Sequence, residues 1–259
     1  MLFAWLKRRR RRRLLREPFR DDWEPFLGSV PLCASLDSAE QARLRDDLRV
    51  IVAEKHWEPC GGMEMTDEVK VVIAAQAALP ILHLDHDYYR NVGSILVYPD
   101  TFQVPRREGL PGGVVAEGPS PTLGLASLRG PLVLAWDAVR HGNENREDGR
   151  NVVLHEFAHK LDMLDQFADG APPLRSRGQY RAWQRIMTEE YENLVERAEK
   201  GRRTLLDKYG ATNPAEFFAV ATELFFEKSR QMRDKHDELY GLLVEYYRQD
   251  PASRPRTTG

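Results

Sequence analysis

Cysteine is nearly absent from this chain of 259 residues, which has only Cys33 and Cys60. Two thiols so far apart exclude a disulfide framework and a C-x-x-C metal or redox motif. They suit a reducing compartment, where each is expected to act as a small buried apolar residue, and a cytoplasmic location is expected. No stretch approaches the ~20 apolar residues that span a bilayer. An excess of one charge is also missing: 38 basic and 40 acidic side chains leave a net charge of -2, with no global pull toward nucleic acid or membranes. There is no internal repeat. What remains, 42% hydrophobic and 30% charged, is ordinary globular composition in a chain long enough to bury a substantial core.

The N-terminus, "MLFAWLKRRRRRRLLREPF", departs from that average. Six apolar or small residues precede Lys7 and the six arginines Arg8 through Arg13. A secretory signal has the reverse order and a longer apolar core. Residues 1–20 are therefore expected to form a basic, disordered tail. A second reading has the arginines touching anionic lipid or nucleic acid, with Leu2, Phe3 and Trp5 dipping into an interface. Residues 21–250 are expected to form a single domain, with its active-site half at about 146–250, and residues 251–259 a flexible tail.

Along that domain, "SLDSAEQARLRDDLRVIVAEKHW" reads as a helix capped by Asp37 or Ser38. "TDEVKVVIAAQAALPIL" reads as a second, closed by Pro80. "VGSILVYPDTFQV" reads as a strand that Pro99 ends. Residues 106–130 are rich in Gly and Pro and read as loop and hairpin, leading to another strand in "PLVLAWDAV". Three more helices follow the polar stretch "RHGNENREDGR": "QYRAWQRIMTEEYENLVERAEKG", "NPAEFFAVATELFFEKS" and "HDELYGLLVEYYRQD". The expected fold is helix-rich α+β, with a small sheet ahead of one distinctive helix.

That helix is "NVVLHEFAHKLD". Residues four apart on a helix lie one turn above each other, so His155 and His159 can pinch one ion. Neutral imidazoles suit Zn²⁺, and a catalytic zinc needs three protein ligands and an open fourth position. Glu156 can lie beside a water there as general base. Asn151 can cap the helix, and Val152, Val153, Leu154, Phe157, Ala158 and Leu161 supply a buried surface.

For the third ligand, the helix after Asn213 and Pro214 is apolar nearly all round, and places Glu216 and Glu223 on one face seven residues apart. A buried carboxylate is costly unless it meets a cation or several donors. Glu216 is the expected ligand, with Glu223 as the fallback or an outer contact. Glu216 also falls where a capping-box glutamate would, three after Asn213. Asp162 could orient a ligand histidine, or be a surface charge or helix-end group. Tyr209 could donate to an oxyanion or simply pack. His83, Asp85 and His86 look metal-like but suit a solvated or structural role better, and His56 and His141 have no partner that sequence identifies.

With "GPLVLAWDAV", "HEFAHKLD" and "YGATNPAEFFAV" in place, the chain resembles the Mlc titration factor A family over about residues 31–227. The resemblance implies a zincin-like metallopeptidase fold of the gluzincin type. It implies one zinc ion on His155, His159 and Glu216, with Glu156 catalytic. A similar tyrosine-before-glutamate arrangement in the catalytic domain of anthrax lethal factor implies that Tyr209 assists. The family also implies aminopeptidase action on small peptide substrates, and a partner in the glucose-responsive repressor Mlc, hence regulation of glucose uptake. The arginine run lies outside this resemblance.

Overall fold

The computed structural model describes residues 2–84, 87, 89–110, 114–122, 124–126, 130–145 and 148–255. In chain order the elements are α1 (Leu2–Leu14), α2 (Glu24–Gly28), α3 (Ser38–Glu54), β1 (His56–Pro59), α4 (Asp67–Ile81), β2 (Ser94–Tyr98), β3 (Phe102–Leu110), β4 (Val114–Thr122), β5 (Gly124–Ala126), β6 (Leu132–Ala135), α5 (Trp136–Glu144), α6 (Val152–Asp162), α7 (Arg177–Glu199), α8 (Pro214–Glu227), α9 (Ser229–Lys235) and α10 (Asp237–Tyr247). The architecture is helix-rich α+β, as expected.

A four-stranded sheet runs in the order β1-β2-β6-β5. The first three strands are parallel, and β5 lies antiparallel to β6 at the edge, pairing Gly124 with Leu134 and Ala126 with Leu132. All four residues of β6 are buried, the pattern of a strand covered on both faces. α6 packs against α4, α8 and the two strands β5 and β6. The motif helix therefore lies sandwiched between sheet edge and helical core.

Local chemistry explains the helix starts. Asp37 caps α3 in a capping box with Glu40, Thr66 caps α4, and Ser176 caps α7, each side chain satisfying a backbone N–H that no turn supplies. α4 and α8 are buried almost throughout, which their all-round apolar sequence requires. Within α8, Phe217, Phe218 and Phe225 are fully buried, each worth about 2–3 kcal/mol of transfer free energy. Pro80 lies in the last turn of α4, which ends one residue later at Ile81, as the sequence reading expects.

The structure divides several segments differently from the sequence reading. The stretch 92–104 is two strands, because the chain leaves the sheet at Pro99 and enters a separate hairpin of β3 and β4, in register from Phe102↔Thr122 to Leu110↔Val114. Strand β6 stops at Ala135. Trp136 opens a helix, α5, in which Val139 and Gly142 are buried at helical spacing. α9 sits where the sequence offers only a charged connection, held by one buried residue, Met232.

Both termini are more ordered than expected. The arginine run forms α1, and Arg11 makes a two-pronged contact to Glu54 at 2.6 and 2.7 Å. Its Nη1 is also 2.7 Å from Asp87, and Lys7 lies 3.3 Å from the same carboxylate. A run of like charges has no reason to be helical alone; acidic receptors elsewhere in the chain neutralise one stripe of it. At the other end Arg254 donates to Glu40 at 2.8 Å, so residues 251–255 are tied down, and the rest of the expected flexible tail lies outside the described residues.

Candidate metal centre

α6 is capped by Asn151, whose side-chain oxygen accepts the Leu154 N–H at 3.0 Å. The same residue reaches in two further directions. Its backbone N–H donates to Glu223 Oε2 at 2.5 Å, and its side-chain amide donates to Gln76 at 2.7 Å and Glu227 at 3.0 Å. The start of α6 is thus locked to α4 and α8 by buried polar groups that satisfy one another.

One turn separates His155 from His159, and their Nε2 atoms stand 3.2 Å apart. Glu216 projects from the first turn of α8, after Asn213 has capped its N–H at 3.0 Å. Its Oε2 lies 3.0 Å from His155 Nε2 and 3.2 Å from His159 Nε2. Ligand atoms held about 2.0–2.1 Å from one ion in a tetrahedral arrangement are about 3.3 Å from each other. All three separations fit that edge, and among the described residues His155, His159 and Glu216 form the group that could hold a metal ion. Two imidazole nitrogens and a carboxylate oxygen are also the donor set of a hydrolytic zinc site.

Glu223, the fallback ligand, sits on the opposite side of the same imidazole. Its Oε1 is 2.7 Å from His155 Nδ1. One ring therefore contacts one α8 carboxylate with each nitrogen, and Glu223 can fix the ring and its tautomer without approaching a metal. The seven-residue spacing that made the two glutamates equivalent in sequence is what distributes them to the two nitrogens of the ring.

Glu156 is 5% exposed, and its Oε2 has no hydrogen-bond partner among the described residues. Strand β5 bounds it: a Cβ added at Gly124 would come within 2.5 Å of Glu156 Oε1 and 2.7 Å of a Val152 methyl. Only glycine lets the edge strand pass this close. Burial raises the Glu156 pKa, and the nearby His155 and His159 oppose the rise. For His155 burial acts downward, yet Glu223 and Glu216 outweigh it and hold its pKa well above the ordinary value. Burial acts upward on Glu216, but hydrogen bonds to the two histidines hold it far below the carboxylate range. Lys160, one turn beyond Glu156 and fully buried, is lowered by burial.

Tyr209 is half exposed, with its ring centroid 6.0 Å from that of His155. Its turn is held to the start of α6 by Asp207, which accepts from Tyr209 N–H at 2.9 Å and from Arg150 Nε at 2.7 Å. Asp162 does not contact His155. It is buried and accepts the Gly170 N–H at 3.0 Å, and burial pushes its pKa up to about 6. Gly170 has a left-handed backbone, and a Cβ there would meet Pro214 O at 2.3 Å. Asp162 thus sets the loop that braces the start of α8, and with it Glu216.

The weaker candidates fall elsewhere. His83 pairs with Glu40 at 3.1 Å, while Asp85 and His86 lie outside the described residues. His141 pairs with Asp148 at 3.0 Å, and His56 is exposed on β1. Sequence reading missed Gly124 and the bridges through Gln76, Glu227, Arg150 and Asp207. Gly124 lies in a glycine- and proline-rich stretch with nothing to single it out.

Comparison with known proteins shows the family. The sequence family described as glucose-regulated metallo-peptidase M90 matches residues 5–248, so the match extends beyond residues 31–227 and into the arginine helix. The uncharacterized protein slr2042 of Synechocystis is 40% identical over 244 residues, covering 93% of this chain and 89% of that protein. Mlc titration factor A of Edwardsiella ictaluri is 33% identical over 238 residues, covering 91% and 90%. The protein of that name from Yersinia pestis is 30% identical over 235 residues, covering 90% and 86%. With its His-Glu-x-x-His helix and downstream glutamate inside a match of that length, the chain belongs to the glucose-regulated metallo-peptidase M90 family.

Proposed function

We propose that this chain is a zinc-dependent peptidase of zincin-like fold, with His155, His159 and Glu216 holding one ion and Glu156 acting as general base. The observation that carries the reading is the approach of three donor atoms from two helices to within 3.2 Å, next to a buried Glu156 oxygen. Zinc bound there supplies Lewis-acid activation of a water and polarisation of the scissile carbonyl. Glu156 takes the water proton and returns it to the leaving nitrogen, a role suited to a carboxylate whose pKa burial has raised. Tyr209, beside His155, donates to the oxygen on which charge develops. Glu223 and Asn151 keep the His155 ring in place.

An extended peptide is expected to add to the sheet at β5, the edge strand that stands against α6. Residues 114–117 are also extended, but they are registered against β3 in the separate hairpin and do not supply that edge. Gly124→Ala tests the closeness of that edge. The methyl group displaces either the strand or the Glu156 carboxylate, and a shift near 1 Å is expected to lower kcat/KM by roughly a hundredfold. Zinc content should remain at one equivalent, because the three ligands are untouched. Unchanged kinetics in Gly124→Ala would remove β5 from the active site.

Aminopeptidase-like action on small peptides completes the proposal. It is tested by metal analysis together with a panel of amino-acid and peptide nitroanilides. About one zinc per chain is expected, with cleavage lost to a chelator and restored by zinc. Full cleavage by stripped protein would overturn the assignment.

The name Mlc titration factor A, carried by the Edwardsiella and Yersinia relatives, favours a second reading, in which the chain acts in the cytoplasm by binding an Mlc-like transcriptional repressor and so regulates glucose uptake. Capture of such a repressor by a Glu156→Gln variant as strongly as by the unaltered protein would separate that role from hydrolysis.

A further inference from the structure

α1 is docked along one stripe only. Lys7 and Arg11 face the protein through Glu54 and Asp87. Arg8, Arg9, Arg10, Arg12, Arg13 and Arg16 remain exposed. At the N-terminal end of the same helix Trp5 and Leu6 are each 46% exposed, among the few large hydrophobic residues presented to solvent. The Arg9 guanidinium lies 5.5 Å from the Trp5 ring centroid. Beside them a cleft of about 440 Å³ opens between α1 and the chain around residues 90–92, with Leu6 and Val92 next to Lys7, Arg10, Lys55 and Arg90 in its lining, and with Glu54 there already paired with Arg11 and Lys7. The first 20 residues hold nine basic side chains against Glu17, in a chain whose total is -2. The remainder is therefore acidic, and an anionic surface attracts the molecule through this helix and repels it elsewhere.

We propose that α1 is a peripheral docking helix for membranes rich in anionic phospholipid. A bilayer surface presents phosphate groups directly above an apolar layer, and the helix presents guanidinium groups beside an exposed indole and leucine. Tryptophan favours that boundary because its ring is amphipathic. The adjacent cleft combines basic and apolar walls, which matches a phospholipid headgroup and the start of its acyl chains. A nucleic acid would use the arginines equally well, but offers no apolar layer for Trp5 and Leu6. Among the described residues no helix is long and apolar enough to cross a membrane, so the attachment is peripheral. Because Arg11 and Lys7 are already engaged, the helix meets the membrane with its binding face preformed, and little ordering entropy opposes the contact.

The test is partitioning of the full chain onto vesicles of phosphatidylcholine alone and with about 30% phosphatidylglycerol, read by co-sedimentation and by Trp fluorescence. Binding is expected on the anionic vesicles only, falling as salt is raised. Each arginine near such a surface is worth roughly fivefold in partitioning. The variant R8A/R9A/R12A/R13A, which leaves the Arg11 anchor intact, is therefore expected to lose at least about a hundredfold. Trp5→Ala should weaken anionic-vesicle binding severalfold, a change that a purely ionic attachment would not show. Circular dichroism and zinc content should match the unaltered protein in both variants. Failure to bind anionic vesicles overturns the proposal. So does binding to an oligonucleotide duplex that exceeds vesicle binding at matched phosphate concentration, or a Trp5→Ala variant that partitions as well as the original.

Discussion

Glu156→Gln is expected to lower peptide hydrolysis by at least about a hundredfold, about 2.7 kcal/mol of barrier, with the zinc still bound. The substitution keeps the shape of a side chain confined between Gly124 and the body of α6, so packing should be unchanged. What it removes is the ability to accept a proton at Oε2, the buried oxygen without a partner among the described residues. It also removes a negative charge that His155 and His159 feel. That change is electrostatic and should alter zinc affinity far less than the loss of a ligand. The measurement is kcat/KM on a cleaved nitroanilide alongside zinc content by atomic absorption. Activity within tenfold of the unaltered protein would exclude Glu156 as the base.

Glu216→Ala and Glu223→Ala should separate two carboxylates that share one helix and one imidazole. A structural zinc site is worth about 10–16 kcal/mol, so one ligand of three represents about 4 kcal/mol, or roughly a thousandfold in affinity. Glu216→Ala is expected to lose that much, since its Oε2 is the atom that meets both Nε2 nitrogens. Glu223→Ala leaves all three donor atoms in place. It frees His155 Nδ1 and the Asn151 N–H, which both rely on that carboxylate. Losing such a supporting contact typically costs about 10–100-fold in affinity or activity. Competition against a chromogenic zinc chelator measures both variants on one scale. The reverse order would return Glu216 to a capping role and make Glu223 the ligand.

The two glutamates also mark how far the sequence could be read. That His155 and His159 share a helix face follows from the 3.6-residue period, and that Glu216 and Glu223 face the interior follows from the apolar residues around them. The caps at Asp37, Asn151 and Asn213 were legible because capping chemistry is local. Helices α5 and α9 were not, since each is short and held by one or two buried residues. Their stability comes from packing, not from propensity. The order of α1 was hidden for a similar reason. Its partners Glu54 and Asp87 are 43 and more positions away from Arg11, and no pattern within the arginine run points to them.

By itself the sequence determined the class of chemistry: an H-E-x-x-H helix with an apolar body, a second buried helix carrying carboxylates, and a composition with two distant cysteines and no apolar stretch of ~20 residues. These are periodic or compositional properties, carried within one or two turns of chain. Tertiary structure decided which atoms meet. It placed Glu216 on the Nε2 side of His155 and Glu223 on the Nδ1 side, laid Gly124 against Glu156, and turned Asp162 toward Gly170. Each of those contacts depends on how α6 crosses α8 and β5, and that crossing is set by the packing of residues from all parts of the chain.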